Sequence, residues 1–351
     1  MRVVIAAVAS FAVLFAAFLV VSVVTDYRPA DIVKIDVKNP QESVLSAQTE
    51  FTVTTFNIGY CGLDKDADFF MDGGTMSRAV DRDHVEANIE AVVGFLREQS
   101  SDFFAIQEVD LNSSRSFLTD QRSRISDELS EYSHSHAVNY KVAWVPVPLN
   151  HPHGKVLSGI MTMSRHNVAN VSRYSLPGKH NPIVQLFMLD RCIMESRVPV
   201  ENGRELVMVN LHLSAYDKGG TIRNQQLSFL KRYALEEFSR GNYVVLAGDW
   251  NHLLSECQEA RKADYGDKWP DWLQLLPDDF TPEGWQWAVD EQVPTCRDND
   301  RTYDPDVSFV TWIDGFLVSP NIEVIEVAGH DLGFEHSDHN PVTARLRFTE
   351  H

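Results

Sequence analysis

Polar residues that could bind a metal ion or move a proton follow short apolar runs at several points along this 351-residue chain. The clearest case is Gly248-Asp249-Trp250-Asn251, which ends the apolar run from Tyr243 to Ala247. Enzymes commonly present polar side chains at a cleft in this way, because the rigid strand fixes where the loop begins. We therefore expect Asp249 and Asn251 to lie at the carboxyl end of a strand, in a catalytic or binding site.

The same pattern recurs elsewhere in the chain. Short runs typical of strands, over residues 51–56, 103–106, 206–209 and 310–313, lead into polar residues, and a polar group precedes the predicted last strand over 342–348. The polar residues are Asn57, Gln107-Glu108, Asn210-Leu211-His212, Asp314 and Ser337-Asp338-His339-Asn340. One such case has little weight, since Asp, Asn and Gly end many strands. As a set, oxygen ligands suited to Mg²⁺ and two imidazoles suited to phosphate contact or proton transfer predict a metal-assisted hydrolase.

This ordered series resembles the endonuclease/exonuclease/phosphatase superfamily, over residues 51 to 348. The matching motifs are Thr55-Phe56-Asn57, Ile106-Gln107-Glu108, Asn210-Leu211-His212-Leu213, Gly248-Asp249-Trp250-Asn251, Ile313-Asp314 and Ser337-Asp338-His339. Gln107-Glu108-Val109-Asp110 is similar to the deoxyribonuclease and sphingomyelinase branch. The resemblance implies an α+β fold, a four-layered α/β/β/α sandwich of two mixed β-sheets flanked by helices. The motifs are specific to the superfamily and not to one substrate.

Phosphodiester hydrolysis needs charge neutralised on a nonbridging oxygen, an aligned water and stabilisation of the leaving oxygen. Glu108 is the leading candidate ligand for Mg²⁺, or for Mn²⁺ as the alternative, with Asn57 beside it. The resemblance implies that Asp338 also lies near the metal.

The remaining candidate residues are assigned to catalysis. Asp249 is expected to orient or deprotonate the water, and Asn251 to hold the phosphate. His339 is expected to contact the phosphate or act as a base, with Asp314 fixing its orientation. The resemblance implies that His212 lies near the phosphate or the leaving group. The alternative for His212 is a core histidine at a strand end.

Alternating helices and strands must position these residues. Helical spacing of apolar residues predicts helices over 83–99 and 220–239. Four further strands are predicted over residues 138–145, 159–164, 184–189 and 192–198.

The composition narrows the substrate class. The formal net charge is -19 at pH 7. Separately, 44% of the residues are hydrophobic, which is sufficient for the core of one large two-sheet domain. Affinity for nucleic acid depends largely on Lys and Arg that neutralise phosphates, and the sequence has no basic cluster. The acidic charge, together with the apolar run at the start of the chain that is described next, leads us to predict a membrane-tethered phosphodiesterase that acts on a phospholipid or sphingolipid headgroup. The alternatives are an extracellular DNA or RNA nuclease and a noncatalytic membrane-bound binding protein.

The start of the chain is a separate module. Residues 3–24 are almost entirely apolar and uncharged, and as a helix they would span about 33 Å, enough to cross a bilayer core. The run is longer than the apolar region of most signal peptides and lacks a good cleavage site. We predict a membrane anchor over 1–25, a polar tether over 26–50 and the catalytic domain over 51–351. A cleaved signal peptide and a buried helix are the alternatives.

The charges that flank the anchor do not fix its orientation, because basic residues lie on both sides. A single amino-terminal anchor on a hydrolase more often exports the domain, so we expect the catalytic domain to be extracellular. The expected partners are the membrane and a phosphoester substrate. No obligate protein partner is inferred, and the chain is expected to be a monomer.

Three other features have both a structural and a functional interpretation. The Trp-rich segment 269–287 is expected to pack as a surface loop, with a substrate or membrane contact as the alternative. The segment 151–155, with two His and one Lys, is either an ordinary loop or a phosphate contact. Buried free thiols, with one or two disulfides as the alternative, are expected for four residues: Cys61, Cys192, Cys257 and Cys296.

Overall fold

The computed structural model of the protein describes residues 1–217, 219–255, 258–266 and 269–349. Its strands are β1 (Ile32–Ile35), β2 (Phe51–Asn57), β3 (Phe103–Asp110), β4 (Ser133–Val145), β5 (Gly154–Ser164), β6 (Asn170–Ser175), β7 (Cys192–Pro199), β8 (Glu205–His212), β9 (Tyr243–Asp249), β10 (His252–Leu253), β11 (Gln274–Leu275), β12 (Gln286–Ala288), β13 (Cys296–Arg297), β14 (Val310–Thr311), β15 (Asp314–Val318), β16 (Ile322–Gly329) and β17 (Val342–Phe348). Its α-helices are α1 (Arg2–Val24), α2 (Arg82–Gln99), α3 (Gln121–Glu128), α4 (Pro182–Gln185), α5 (Thr221–Ser239) and α6 (Gln258–Tyr265).

Most of the strands form two large mixed sheets. One sheet has seven strands in the order β1-β6-β7-β8-β9-β15-β12, and the other has six in the order β16-β17-β2-β3-β5-β4. In each sheet one central pair is parallel, β8 with β9 and β2 with β3. The carboxyl ends of a parallel pair lie at the same edge of the sheet, so the polar residues that follow these strands meet there.

The two sheets pack face to face, and helices cover their outer faces. Along β9, Val245 and Ala247 belong to the core between the sheets. Leu246 points to the other face and packs with Leu230 of α5, as expected from the alternation of side chains along a strand. Apolar residues of α2 and α3 cover the six-stranded sheet in the same way. The predicted four-layered α/β/β/α sandwich is therefore confirmed.

Two of the predicted strands differ in the structure. The run over 310–313 forms only the short β14, and Asp314 begins β15 instead of following a strand. Asp314 still reaches the same edge, because β15 is antiparallel to β9 and pairs Asp314 with Asp249. The predicted strand over 184–189 is wrong, since part of it forms α4. The side chain of Asn181 caps that helix and Pro182 lies in its first turn, a combination that favours a helix start.

Residues 26–50, predicted to be a polar tether, are attached to the domain at several points. Within this segment, β1 pairs with β6 and so joins the edge of the seven-stranded sheet. Lys38 forms a bridge with His134, and Leu45 lies in the core between the sheets. The connection between α1 and the folded domain is therefore short.

Helix α1 projects from the domain. It has 23 residues, and its most apolar 18-residue window is unburied. Of the described helices, it is the one long and apolar enough to cross a membrane. A signal sequence passes the same test of length and composition.

Three described cysteines and part of the Trp-rich segment are buried. Cys61, Cys192 and Cys296 are free and buried, whereas Cys257 lies outside the described residues. In the Trp-rich segment, Trp285 is only 6% exposed and packs in the apolar cluster beneath α5. This agrees with the packing interpretation at Trp285, whereas Trp272 of the same segment lines the cavity described below.

Candidate active site

A single hydrogen-bonded group joins the ends of β2 and β9. Asn57, the last residue of β2, donates from Nδ2 to Oδ2 of Asp249 at 3.0 Å, and its Oδ1 accepts from the backbone N–H of Gly59 at 3.0 Å. The other carboxylate oxygen of Asp249 accepts from the backbone N–H of Asn251 at 2.9 Å. Both hydrogen bonds to the Asp249 carboxylate thus come from residues that the sequence predicted for the site.

His339 lies between two buried carboxylates. Its Nδ1 is 2.8 Å from Oδ2 of Asp314, and its Nε2 is 3.9 Å from Oδ2 of Asp249. Burial lowers the pKa of His339, but the charge of Asp314 and the hydrogen bond to it outweigh burial and raise that pKa well above its usual range. Burial, and then the charge of Asp314, raises the pKa of Asp249 to about 7. The arrangement places a cationic imidazole next to a carboxylate that can exchange a proton near neutral pH.

His212 and Asn251 complete this side of the site. His212 ends β8, and its Nε2 lies 3.4 Å from Oδ2 of Asp249. Burial and the nearby charge of Arg191 lower its pKa well below the usual value, so the ring is neutral. Its Nδ1 is buried without a described partner. Asn251 is held by a hydrogen bond from its Nδ2 to Leu213 O at 2.9 Å.

Glu108 has an unusual backbone. Its φ is +59°, and the ladder between β3 and β5 shifts register between Ile106 and Val109. A non-glycine residue in the left-handed region costs about 1–3 kcal/mol and persists where the surroundings impose it, often at functional sites. The bulge turns the Glu108 side chain into the cavity that the other candidate residues line. Without it, the alternation along β3 would not bring Glu108 to that face.

A buried arginine lies beside Glu108. Arg115 forms a bidentate pair with Asp110, at 2.9 Å and 3.1 Å, and its Nη1 is 3.5 Å from Oε2 of Glu108. Its guanidinium stacks 4.0 Å from the centre of the Tyr60 ring. Because the bidentate pair fixes the guanidinium plane, Arg115 limits where the Glu108 carboxylate can lie.

Asp338 approaches from the loop before β17. Its Oδ2 accepts from Nδ2 of Asn299 at 2.7 Å, which leaves Oδ1 to face Gly59. A Cβ on residue 59 would come within 2.5 Å of that oxygen, and Gly59 has a φ of +48°. Glycine is therefore required at this position both by the space beside Asp338 and by the backbone conformation.

Two groups of side chains are candidates for holding a cation. Asn57, Glu108 and Asp338 offer the hard oxygen donors that Mg²⁺ prefers. Burial raises the pKa of Glu108, and although Arg115 opposes this shift, the charge of Asp338 adds to it. A cation between these two carboxylates would remove their repulsion, so the donor set fits a divalent metal ion.

The second group is Asp249, Asp314 and His339, whose ligand atoms lie within 4.8 Å of one another. In this group Nδ1 of His339 is already hydrogen-bonded to Asp314. Cation binding through that nitrogen would break the pair, so this group fits proton transfer and phosphate contact better. Asn57, Glu108 and Asp338 therefore stay the predicted metal ligands.

All eight predicted site residues come together. Seven of them line one cavity of about 250 Å³, and these are Asn57, Glu108, His212, Asp249, Asn251, Asp338 and His339. Asp314 lies behind His339, 1% exposed. Gln107 and Asn210, from the same motifs, serve a structural role beneath the site, because the amide of Gln107 donates to Oδ1 of Asn210 at 2.8 Å and links the two sheets.

The cavity also contains residues that sequence reasoning missed. Arg191 and Tyr216 line it, and the Tyr216 hydroxyl donates to Oδ1 of Asp72 at 2.7 Å. Burial raises the pKa of Asp72 to about 7. Neither Arg191 nor Asp72 follows an apolar run that ends in the site, so no local signal marks them. In the segment 151–155, His153 forms part of the cavity wall, where burial lowers its pKa to about 3.

The chain is similar to a known protein family and to several solved structures. The model of the Endonuclease/Exonuclease/phosphatase family matches residues 54–339. A Beutenbergia cavernae endonuclease/exonuclease/phosphatase structure is similar, with 17% identity and a TM-score of 0.55 over 86% of this chain and 72% of that one. D. rerio TDP2 complexed with single strand DNA product has 14% identity and a TM-score of 0.54, over 85% and 99% of the two chains.

The human Nocturnin catalytic domain with bound sulfate anion has 14% identity and a TM-score of 0.50, over 92% of this chain and 99% of that one. At these identities the likeness concerns the fold. No match was found among curated proteins.

Proposed function

The chain belongs to the endonuclease/exonuclease/phosphatase family, and from that membership we propose that it is a Mg²⁺-dependent phosphodiesterase, tethered to a membrane by α1. Members of this family are typically metal-dependent phosphoester hydrolases. The observation that carries the proposal is that three oxygen donors line one cavity together with Asp249 and His339, and that Asp314 lies behind His339.

The side chains divide the chemistry between them. Glu108, Asn57 and Asp338 would hold the cation, which when bound neutralises charge on a nonbridging phosphate oxygen. Asp249 orients the attacking water and accepts its proton, while Asn57 and the Asn251 backbone N–H fix its carboxylate. His339, held cationic by Asp314, donates to a phosphate oxygen. His212 contacts the leaving oxygen, and Asn251 contacts the phosphate.

The substrate class that we favour is a phospholipid or sphingolipid headgroup. The net charge of -19 opposes the binding of a polyanion, and α1 would hold the cavity near lipid. A nuclease is the second candidate, because a solved relative of this fold, D. rerio TDP2, is complexed with single strand DNA product. Arg115 and Arg191 supply positive charge within the cavity that either substrate could use.

A substrate panel separates these two functions. The detergent-solubilised full chain with Mg²⁺ is expected to hydrolyse sphingomyelin or phosphatidylcholine faster than DNA or RNA. Any DNA cleavage is expected to fall steeply as salt rises, since few phosphate contacts are available to a chain of this charge. Initial rates on lipid, plasmid DNA, RNA and inositol phosphates, each at two salt concentrations, provide the measurement. Faster turnover of plasmid DNA than of every lipid would reverse our ranking.

We also propose that α1 is retained and that the catalytic domain lies outside the cell. Protease added to intact cells is then expected to degrade the domain, and the mature protein is expected to begin with its own amino-terminal residues. Immunoblotting before and after lysis, with amino-terminal sequencing of the mature chain, measures both properties. Resistance to protease until lysis would place the domain inside the cell, and loss of residues 1–24 would identify a signal peptide.

A further inference from the structure

The wall of the cavity is in direct contact with helix α1. Phe187 lines the cavity and stacks on Phe18 of α1, with ring centroids 5.8 Å apart and an interplanar angle of 6°. The carbonyl oxygen of Phe187 accepts a hydrogen bond from the Tyr140 hydroxyl at 3.0 Å. Tyr140 belongs to β4 and also lines the cavity. One residue therefore connects the membrane helix to the cavity wall.

The domain is also held close to the end of α1. Only residues 25–31 separate α1 from β1, which is paired with β6. Within this connection, the Tyr27 ring lies 5.5 Å from Nζ of Lys141 and 5.9 Å from the guanidinium of Arg173. These contacts attach the connection to β4 and β6, so the domain has a defined side facing the end of the helix.

The contact with Phe18 determines how far this side of the domain lies from the carboxyl end of α1, measured along the helix axis. Phe18 precedes the last residue of α1, Val24, by about 9 Å along the helix axis, at 1.5 Å per residue. When α1 crosses a bilayer, Phe187 therefore lies about 9 Å below the end of the helix. This is the depth, about 5–10 Å, to which the apolar faces of interfacial segments enter a membrane.

Phe187 belongs to one of two uncharged segments, residues 142–150 and 182–189. Together these segments form what we call the apolar rim. Neither segment contains Asp, Glu, Lys or Arg, in a chain where these make up 23% of the residues. Several of their large apolar side chains are exposed, with Leu149 at 87%, Ile183 at 62% and Val147 at 44%. Phe187 packs against the apolar cluster of β4 and β5 that continues into the first segment. Exposure of several large apolar side chains on two uncharged segments is unfavourable in water and indicates a contact surface.

We propose that the apolar rim inserts into the interface of the membrane that holds α1, so that the cavity receives the headgroup of a lipid from the same bilayer. The occupant is a lipid surface because the rim is continuous with a membrane-spanning helix and has no charge to pair with a protein. For its chemistry this inference rests on the proposed phosphodiesterase. Water forms the new bond to phosphorus, the bond to the leaving oxygen breaks, and the leaving alcohol takes up one proton from the water.

A reconstitution experiment tests action on the same bilayer. The full chain is placed in vesicles of phosphatidylcholine and sphingomyelin, and these are mixed with protein-free vesicles of the same lipids that contain a distinguishable label. Lipid in the protein's own vesicles is expected to be hydrolysed on the order of 10²-fold faster, through the effective concentration that tethering provides. Equal rates on both vesicle populations would overturn the proposal.

Rim variants separate insertion from simple tethering. Ile183→Asp and Leu149→Asp are expected to reduce hydrolysis of vesicle lipid about tenfold, because a charge must then enter the interface. Both are expected to leave hydrolysis of the soluble ester bis(4-nitrophenyl) phosphate unchanged. Val44→Asp is the matched control. Val44 is 45% exposed. Its neighbour Leu45 forms a bridge with Val200, which precedes β8, so Val44 lies at the opposite end of the sheet from the cavity.

A binding measurement keeps the inference independent of the chemistry. A polarity-sensitive fluorophore on Ile183→Cys is expected to be quenched by brominated lipids in the vesicles, and the same fluorophore on Val44→Cys is not. Quenching without hydrolysis of any substrate would refute the proposed function and leave the insertion standing. Absence of quenching at position 183, equal quenching at both positions, or equal loss of vesicle and soluble activity in the Asp variants would overturn the insertion.

Discussion

Replacement of Glu108 by Gln is expected to reduce phosphoester hydrolysis on the order of 10³-fold, because a metal ion typically contributes several kcal/mol of charge stabilisation to such a reaction. Glu108 is the one carboxylate in the oxygen-rich group that comes from β3, and Asp338 supplies the other. Excess chelator is expected to reduce the activity of the wild type about as strongly as Glu108→Gln does. Initial rates with and without chelator, at several Mg²⁺ concentrations, provide the measurement.

The same position is expected to show that its geometry was selected for function. Glu108→Gly is expected to lose activity as fully as Glu108→Gln. Its free energy of unfolding, however, is expected to be larger than that of Glu108→Gln. Glycine adopts a φ of +59° without the cost of about 1 kcal/mol or more that other residues bear. Thermal unfolding in detergent gives the comparison. Glu323→Gln, an exposed glutamate paired with Arg347, is the control. Full turnover by Glu108→Gln, or in excess chelator, would refute the metal site.

The site's location in the fold could be predicted from the sequence because its residues follow apolar runs. Asp249 and Asn57 end buried strands, and parallel pairing brings such ends to one edge of a sheet. The helices α2 and α5 were predictable for a related reason, since a buried face repeats with the helical period.

Strand direction and partners could not be predicted in this way. Asp314 reaches the site from the start of β15, through antiparallel pairing with β9. The sequence placed it after a strand instead, because a local apolar pattern contains no information about that pairing. β1 was missed because only its pairing with β6 distinguishes it from a polar linker. Arg191 and Asp72 lie in the cavity through tertiary packing alone. The bulge that turns Glu108 inward likewise depends on the register between β3 and β5.

Single replacements of Asp249 by Asn and of His339 by Gln are each expected to reduce hydrolysis about 10³-fold, and the double replacement is expected to be hardly slower than the worse single one. Residues that act as one unit in catalysis lose their effect together, so their losses do not multiply. The two side chains share Asn57, whose Nδ2 lies 3.0 Å from Oδ2 of Asp249 and 3.4 Å from Nε2 of His339.

The rates of all four proteins on one soluble ester form a complete cycle, and circular dichroism establishes that each variant is folded. Arg347→Gln, on an exposed arginine remote from the cavity in the β16–β17 pair, is expected to match the wild type. A double variant slower by the product of the two single losses would mean that Asp249 and His339 act in separate steps. In that case Asp314 would belong to the step served by His339, because the Asp314 side chain is hydrogen-bonded to His339.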